Sequence, residues 1–461
     1  MAGTQMRRDG ETTTFGDGSS PTLRRGACPT LARPMQTGDG LLARLRPVSG
    51  FFTTEAFLAL LDAAEAFGTG RLDITARGNL QIRGLRSDSV ARLSAAIARA
   101  GITPIEGIAV ETPPLAGLDP EEIVDPRPLA GELSARIRES RHVLAPKLAV
   151  IVDGGGRLHL DGVAADVRLK AVDGDVPLWH LFVAGRPSGL SGAANEMIDA
   201  AMAVISEIAA CGPAARARDL PPGRGAVLHS PAPKQLHAHS PVGTFDLGAQ
   251  VALGVAPSFG QAEAHVLRRL VVAARSQGCS QVRLAPGRAL LLIGPAGYDH
   301  PALVRTARSL GLAVEATDPV LQIDACAGQA GCASGRIDTH AMAARLIAHA
   351  PALMDGSLSL HVSGCAKGCA RPRTAGLTLV AASCEGQPGA GIVLGGRAGD
   401  PPVATKRLED VPCALTALGQ WVAETIEKGE SAAACLERLG PARIAAALSG
   451  ACFNGIDDAG I

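Results

Sequence analysis

KLAVIVDGG (residues 147–155) and SLSLHVSGC (residues 357–365) align without a gap, Leu148 on Leu358, Val152 on Val362 and Gly154 on Gly364. Both read as a short strand that runs into a tight, glycine-rich turn. The 210-position offset between them recurs elsewhere. It puts RPVSGFF (46–52) on APSFGQA (256–262), with Pro47 on Pro257 and Gly50 on Gly260. It also puts ITARGNLQIRG (74–84) on LAPGRALLLIG (284–294), with Leu80 on Leu290 and Gly84 on Gly294. A constant offset across three separated stretches marks an internal duplication of one large unit.

Each copy has two parts. Residues 41–46 alternate, residues 54–67 carry Phe57, Leu60, Leu61, Ala64 and Phe67 at helical spacing, and residues 71–85 alternate again. The second part predicts strands at 147–153 and 165–171 and a helix near 192–210, with counterparts at 357–363, 375–381 and roughly 411–427. The fold class expected is α+β, with antiparallel sheets arranged around a pseudo-twofold axis. The boundaries expected are a tail at 1–20, copy one at 21–118 and 119–212, a linker at 213–238, and copy two at 239–317 and 318–461.

Composition excludes several functions. Lys plus Arg and Asp plus Glu both number 44, so no basic field draws the chain to nucleic acid or to an anionic membrane. Aromatic residues make up 3%, too few for base stacking as a main theme. No window approaches 18 apolar residues, so no membrane span is expected. Arg7-Arg8 is followed by polar residues instead of an apolar core, so export is not expected and the cytoplasm is. There, the eleven cysteines are not expected to form a disulfide framework.

Four cysteines stand apart. Cys326 and Cys332 are separated by five residues, Cys365 and Cys369 by three, and both pairs lie in Gly/Ala-rich loops of copy two. Soft thiolates in that number suit zinc or an iron–sulfur cluster. Structural zinc favours two to four residues between partners, so the wider spacing favours a cluster. In copy one, positions 155 and 159 hold Gly155 and His159, so a single cluster is expected.

With those motifs the chain resembles the siroheme-type sulfite and nitrite reductase family. C-x5-C followed by SGC-x3-C is similar to the family's cluster signature, TARGNLQIRG (75–84) to its Thr-x-Arg-x-x-x-Gln segment, and PLAGLDPEEIVD (114–125) also matches. The resemblance spans residues 25 to about 440. It implies an internally duplicated nitrite/sulfite reductase-like fold, each copy a ferredoxin-like half-domain followed by a cluster/haem-type α+β domain. It also implies a [4Fe–4S] cluster on Cys326, Cys332, Cys365 and Cys369.

RRGACPTLARPMQTGDGLLARLRP (24–47) looks most like the branch of that family that acts in aerobic cobalamin synthesis. That branch implies O2-dependent hydroxylation of precorrin-3A at C20 with γ-lactone formation, a mononuclear non-haem iron, and an external electron donor (a ferredoxin or an NAD(P)H-dependent reductase). The rival is a siroheme-dependent nitrite or sulfite reductase. The reductases hold their anion with two Arg and a Lys-x-Lys pair. Here Arg77 and Lys147 match, but Ile108 and Ala149 stand at the other two places. Each lost cation removes charge-assisted hydrogen bonds of roughly 1.5–3 kcal/mol. No siroheme is therefore expected, and a carboxylate-rich tetrapyrrole is expected in its pocket as substrate.

Arg77, Arg83, Lys147, Arg288 and Arg371 are the candidate carboxylate clamps, against a reading of ordinary strand-end charge. No complete ligand set for the iron is legible. His237, His239, His159 and His361 are each read as ordinary, and Asp153-Gly154-Gly155-Gly156 as a strand-end turn. No Gly-x-Gly-x-x-Gly opens a helix after a strand, so no nicotinamide or flavin domain is expected. A cluster-binding regulator, the reading from another class, lacks any helix-turn-helix signal or basic stripe.

Overall fold

The computed structural model describes residues 29–174, 176–221 and 239–450. The expected tail at 1–20, most of the linker (222–238) and His237 lie outside the described residues.

Strand pairing repeats the sequence offset residue by residue. Leu45 pairs with Leu80 in copy one, and Val255 with Leu290 in copy two. Leu72 pairs with Ile82, and Val282 with Leu292. In the second parts, Val150 pairs with Val167, and Leu360 with Leu377.

The half-domain sheets exchange strands between the copies. One runs Met35–Thr37, Gly40–Leu45, Leu80–Leu85, Arg71–Ile74 and then Gln261–Glu263 of copy two. The other ends on Phe52–Thr53 of copy one, paired with Gln281–Ala285. Each half-domain thus lends its partner an edge strand.

The helices Thr54–Phe67 and Ala264–Ser276 pack together over these sheets. Their apolar stripes, Phe57, Leu60 and Leu61 on one and Leu267 and Leu270 on the other, are fully buried in one shared core. Each such leucine contributes about 2 kcal/mol. The first helix starts where the Thr53 side chain accepts the Ala56 N–H at 3.1 Å.

The second sheets are mixed, which corrects the expectation of antiparallel sheets. Val110–Glu111, Val150–Asp153 and Val167–Val172 run parallel, as do Ile323–Ala325, Leu360–Ser363 and Ala375–Cys384. The two-residue strand Val110–Glu111 forms the edge of copy one's second sheet. In copy two, Leu360, Val362, Leu377 and Leu379 face the helices Thr339–His349 and Val411–Thr425. The alternate residues Asp324, His361 and Thr378, side by side in register, therefore face away from that core.

Candidate functional site

The four cysteines of copy two lie on two loops that the parallel strands bring together. Cys326 follows Ile323–Ala325, Cys332 ends the turn Gly328–Gly331, and Cys365 and Cys369 follow Leu360–Ser363. The loops are tied at several points. The Gly364 N–H donates to Cys326 Sγ at 3.2 Å, and the Arg336 N–H donates to the Gly364 carbonyl at 3.0 Å. Lys367 Nζ donates to Ser334 Oγ at 3.0 Å. Backbone packs against backbone here: a Cβ on Gly335 would meet Gly328 at 2.3 Å, and one on Gly38 would meet the Ala333 nitrogen at 2.5 Å. On the cluster expectation, a Gly335→Ala chain should take up far less iron than the wild type and show little visible absorption, with every cysteine in place. Iron analysis per chain checks this.

Arg83 braces this cradle from copy one. Its side chain is 4% exposed. Nε donates to Asp39 at 2.9 Å, Nη1 to Asp73 at 2.8 Å, and Nη2 to Asp39 and to the Gly331 carbonyl beside Cys332. Its charge is already matched by two carboxylates. Burial would raise the Asp39 carboxyl, but the Arg83 hydrogen bonds hold it below its ordinary value.

Arg288 and Arg371 converge on Asp324 at 2.6 and 2.8 Å. Burial opposes ionisation of Asp324, but the two guanidinium groups keep it below its ordinary value. The three carry one net positive charge next to His361. That ring is fully buried, and neither nitrogen has a partner among the described residues. Burial pushes it down to about 4, so it is neutral at neutral pH.

Copy one shows what stands at the positions of the four cysteines. The Ile123 N–H donates to the Gly154 carbonyl as Arg336 does to Gly364, and Asp119 to Leu115 as Cys332 to Gly328. Cys326, Cys332, Cys365 and Cys369 therefore correspond to Pro113, Asp119, Gly155 and His159. Asp119 accepts Arg157 Nε at 3.0 Å and the Arg157 N–H at 2.7 Å. A buried ion pair fills the second cradle.

Beside it opens a cleft of about 430 Å³, with Arg46, Arg77, Arg127, Arg138 and Arg283 in its wall. Glu111 faces Arg77 at 3.0 Å and Arg46 at 3.2 Å, so one carboxylate serves two guanidinium groups. Arg77 also donates to the Ala164 carbonyl at 2.7 Å. Arg283 is buried, and its guanidinium bonds the Pro114 and Ala116 carbonyls. Burial, with Arg127 nearby, pushes it down to about 10. Sequence reasoning missed Arg46, Arg138 and Arg283; an arginine inside the apolar strand QVRLA was the one signal for the last. Lys147 is exposed in the turn that precedes the strand Val150–Asp153. Ile108 packs against copy one's core and Ala149 is buried, so apolar side chains occupy those two places.

Residues 33–100 match the nitrite/sulfite reductase ferredoxin-like half-domain family. The solved Mycobacterium tuberculosis NirA protein superposes with a TM-score of 0.70 over 88% of this chain and 84% of that one, at 18% identity. The fold is thus the internally duplicated nitrite/sulfite reductase-like fold. A ferredoxin–nitrite reductase of Leptolyngbya laminosa is 32% identical over 111 residues, 23% of this chain and 22% of that protein. A precorrin-3B synthase of Sinorhizobium sp. is 43% identical over 430 residues, 90% of this chain and 93% of that protein. The chain belongs to the precorrin-3B synthase family. Among the described residues no helix is long and apolar enough to cross a membrane.

Proposed function

We propose that the chain is an O2-dependent monooxygenase that hydroxylates precorrin-3A at C20 and closes a γ-lactone with a ring acetate, a step of aerobic cobalamin synthesis in the cytoplasm. The observation that carries this reading is the 43% identity over nine tenths of both chains to a precorrin-3B synthase. One atom of O2 enters the macrocycle. The other leaves as water, with two electrons drawn from a separate ferredoxin or NAD(P)H-dependent reductase and two protons from solvent.

When bound, a [4Fe–4S] cluster supplies electrons one at a time and a mononuclear non-haem iron supplies O2 activation. Cys326, Cys332, Cys365 and Cys369 fit the cluster: the glycine cradle leaves room for backbone only, and the Gly364 N–H already points at a sulfur. Arg77, Arg46 and Arg138 at the cleft, with Lys147, hold substrate carboxylates by charge-assisted hydrogen bonds, each worth about 1.5–3 kcal/mol. Arg83 holds the loop of Cys332 and takes no substrate. Ile108 and Ala149 leave a small oxyanion without its second pair of cations, which favours the tetrapyrrole as substrate over siroheme as cofactor.

The test starts from anaerobically purified protein and an acid–acetone extract of its pigment. Visible cluster absorption with no siroheme in the extract, and precorrin-3A that gains one labelled oxygen atom from 18O2 only with a reductant, is the expected result. Siroheme in the extract, with turnover of nitrite or sulfite, would overturn the reading.

A further inference from the structure

We propose that Asp153, His159 and Asp161 form a second metal site, a set of hard nitrogen and oxygen donors that holds a divalent iron. One ligand atom from each lies within 4.8 Å of the others. His159 is 6% exposed, and its Nε2 is buried with no partner among the described residues. Buried ring nitrogens in folded proteins are nearly always satisfied by protein, water or a metal. The Gly155 and Leu160 N–H groups donate to the two Asp153 oxygens at 3.0 and 2.6 Å. They fix that carboxylate's orientation, and each oxygen keeps a lone pair.

The duplication supplies an internal comparison. At the 210-residue offset these three residues correspond to Ser363, Cys369 and Arg371. The same strand-end loop thus presents thiolates in one copy and imidazole with carboxylates in the other. Thiolates select iron–sulfur clusters, and nitrogen with oxygen donors suits mononuclear iron or manganese. The loop also borders the cleft. Leu160, between His159 and Asp161, lines it, and Arg77 bonds the Ala164 carbonyl three residues on.

Asp161 already carries cations. Lys170 Nζ lies 2.5 Å from Oδ2, the oxygen that is 3.5 Å from His159 Nδ1, and Arg168 lies 3.0 Å from Oδ1. Their counterparts in copy two are Thr378 and Val380. The ammonium holds the place of positive charge at Oδ2 in the metal-free chain, and an entering dication displaces it. Lys170 is therefore a competitor for the site, which separates this reading from that of a plain ion-pair network.

The choice of iron rests on the monooxygenase reading; the site itself does not. The experiment strips labile metal from the cluster-bearing protein with a mild chelator and titrates it with Mn2+, followed by electron paramagnetic resonance. Retained cluster absorption reports that each variant is folded. The wild type is expected to take up one equivalent. His159→Ala and Asp161→Asn should weaken binding by about a hundredfold or more, at least the loss seen when a ligand's supporting residue is removed. Lys170→Met should tighten it about tenfold, a shift of roughly 1.4 kcal/mol. No uptake by wild type and Lys170→Met, or equal affinity in His159→Ala, would overturn the site. Tight Mn2+ binding in a protein that never oxidises precorrin-3A would leave the site standing and sink the monooxygenase reading.

Discussion

Serine in place of Cys369 is expected to yield a folded chain with no cluster absorption and no turnover of precorrin-3A. The alcohol stays protonated where a thiol ionises, and its oxygen is a hard donor where iron in a cluster favours sulfur. Nothing else in the loop substitutes: the Lys367 ammonium is tied to Ser334, and Arg371 is held by Asp324. The fold should survive, because the strand Leu360–Ser363 and the core beneath it lie outside the loop. Cys211→Ser is the control. That residue is exposed at the end of the helix Ala194–Ala210, in the other copy, and its loss should leave iron content and activity unchanged. Visible spectra and iron analysis of the two variants decide the matter. A Cys369→Ser protein with wild-type iron would remove this cysteine from the ligand set.

Arg83→Met carries the largest expected loss of stability, about 3–5 kcal/mol, the cost of stranding the partners of a buried charge. Two carboxylates are stranded here, with side-chain exposures of 11% at Asp39 and 18% at Asp73. The Gly331 carbonyl beside Cys332 loses its donor as well. Denaturant unfolding should therefore shift to lower midpoint, and the cluster should bleach faster under mild chelation. Arg77→Met is the comparison. That arginine is one-third exposed, so its pair with Glu111 should contribute at most about 1 kcal/mol to stability. Equal unfolding midpoints for the two variants would show that Arg83 is not the brace the geometry makes it.

The contrast between these two arginines marks the limit of reading the chain alone. Arg77 and Arg83 sit on one alternating stretch and look equivalent as letters. What separates them is Asp39, 44 positions upstream of Arg83, and a carbonyl in the other copy, neither of which local periodicity encodes. The duplication was legible because side-chain identity repeats at a fixed spacing, and the register repeats with it. The exchanged strands were not: Phe52–Thr53 and Gln261–Glu263 are too short to show alternation. Nor was parallel pairing, since VIVD reads as a buried strand whichever way its neighbours run. The cysteines stood out because they come in two close pairs, and the fold brings the two loops that carry them together. Asp153, by contrast, read as a turn residue, and its neighbours in space became visible only with the loop folded.

The exchanged edge strands set a rule for how the chain is made. The first half-domain's sheet lacks its last strand until residues 261–263 leave the ribosome, about two hundred residues after the strand they join. Pairing across so long a separation is slow, because loop-closure entropy comes before any contact offsets it. Until then the strand Arg71–Ile74 has a bare edge, of the kind that pairs with other chains. The two copies are therefore one cooperative unit, although each repeats the whole design of the other. A break in the segment between them should release two fragments that fold only in each other's company.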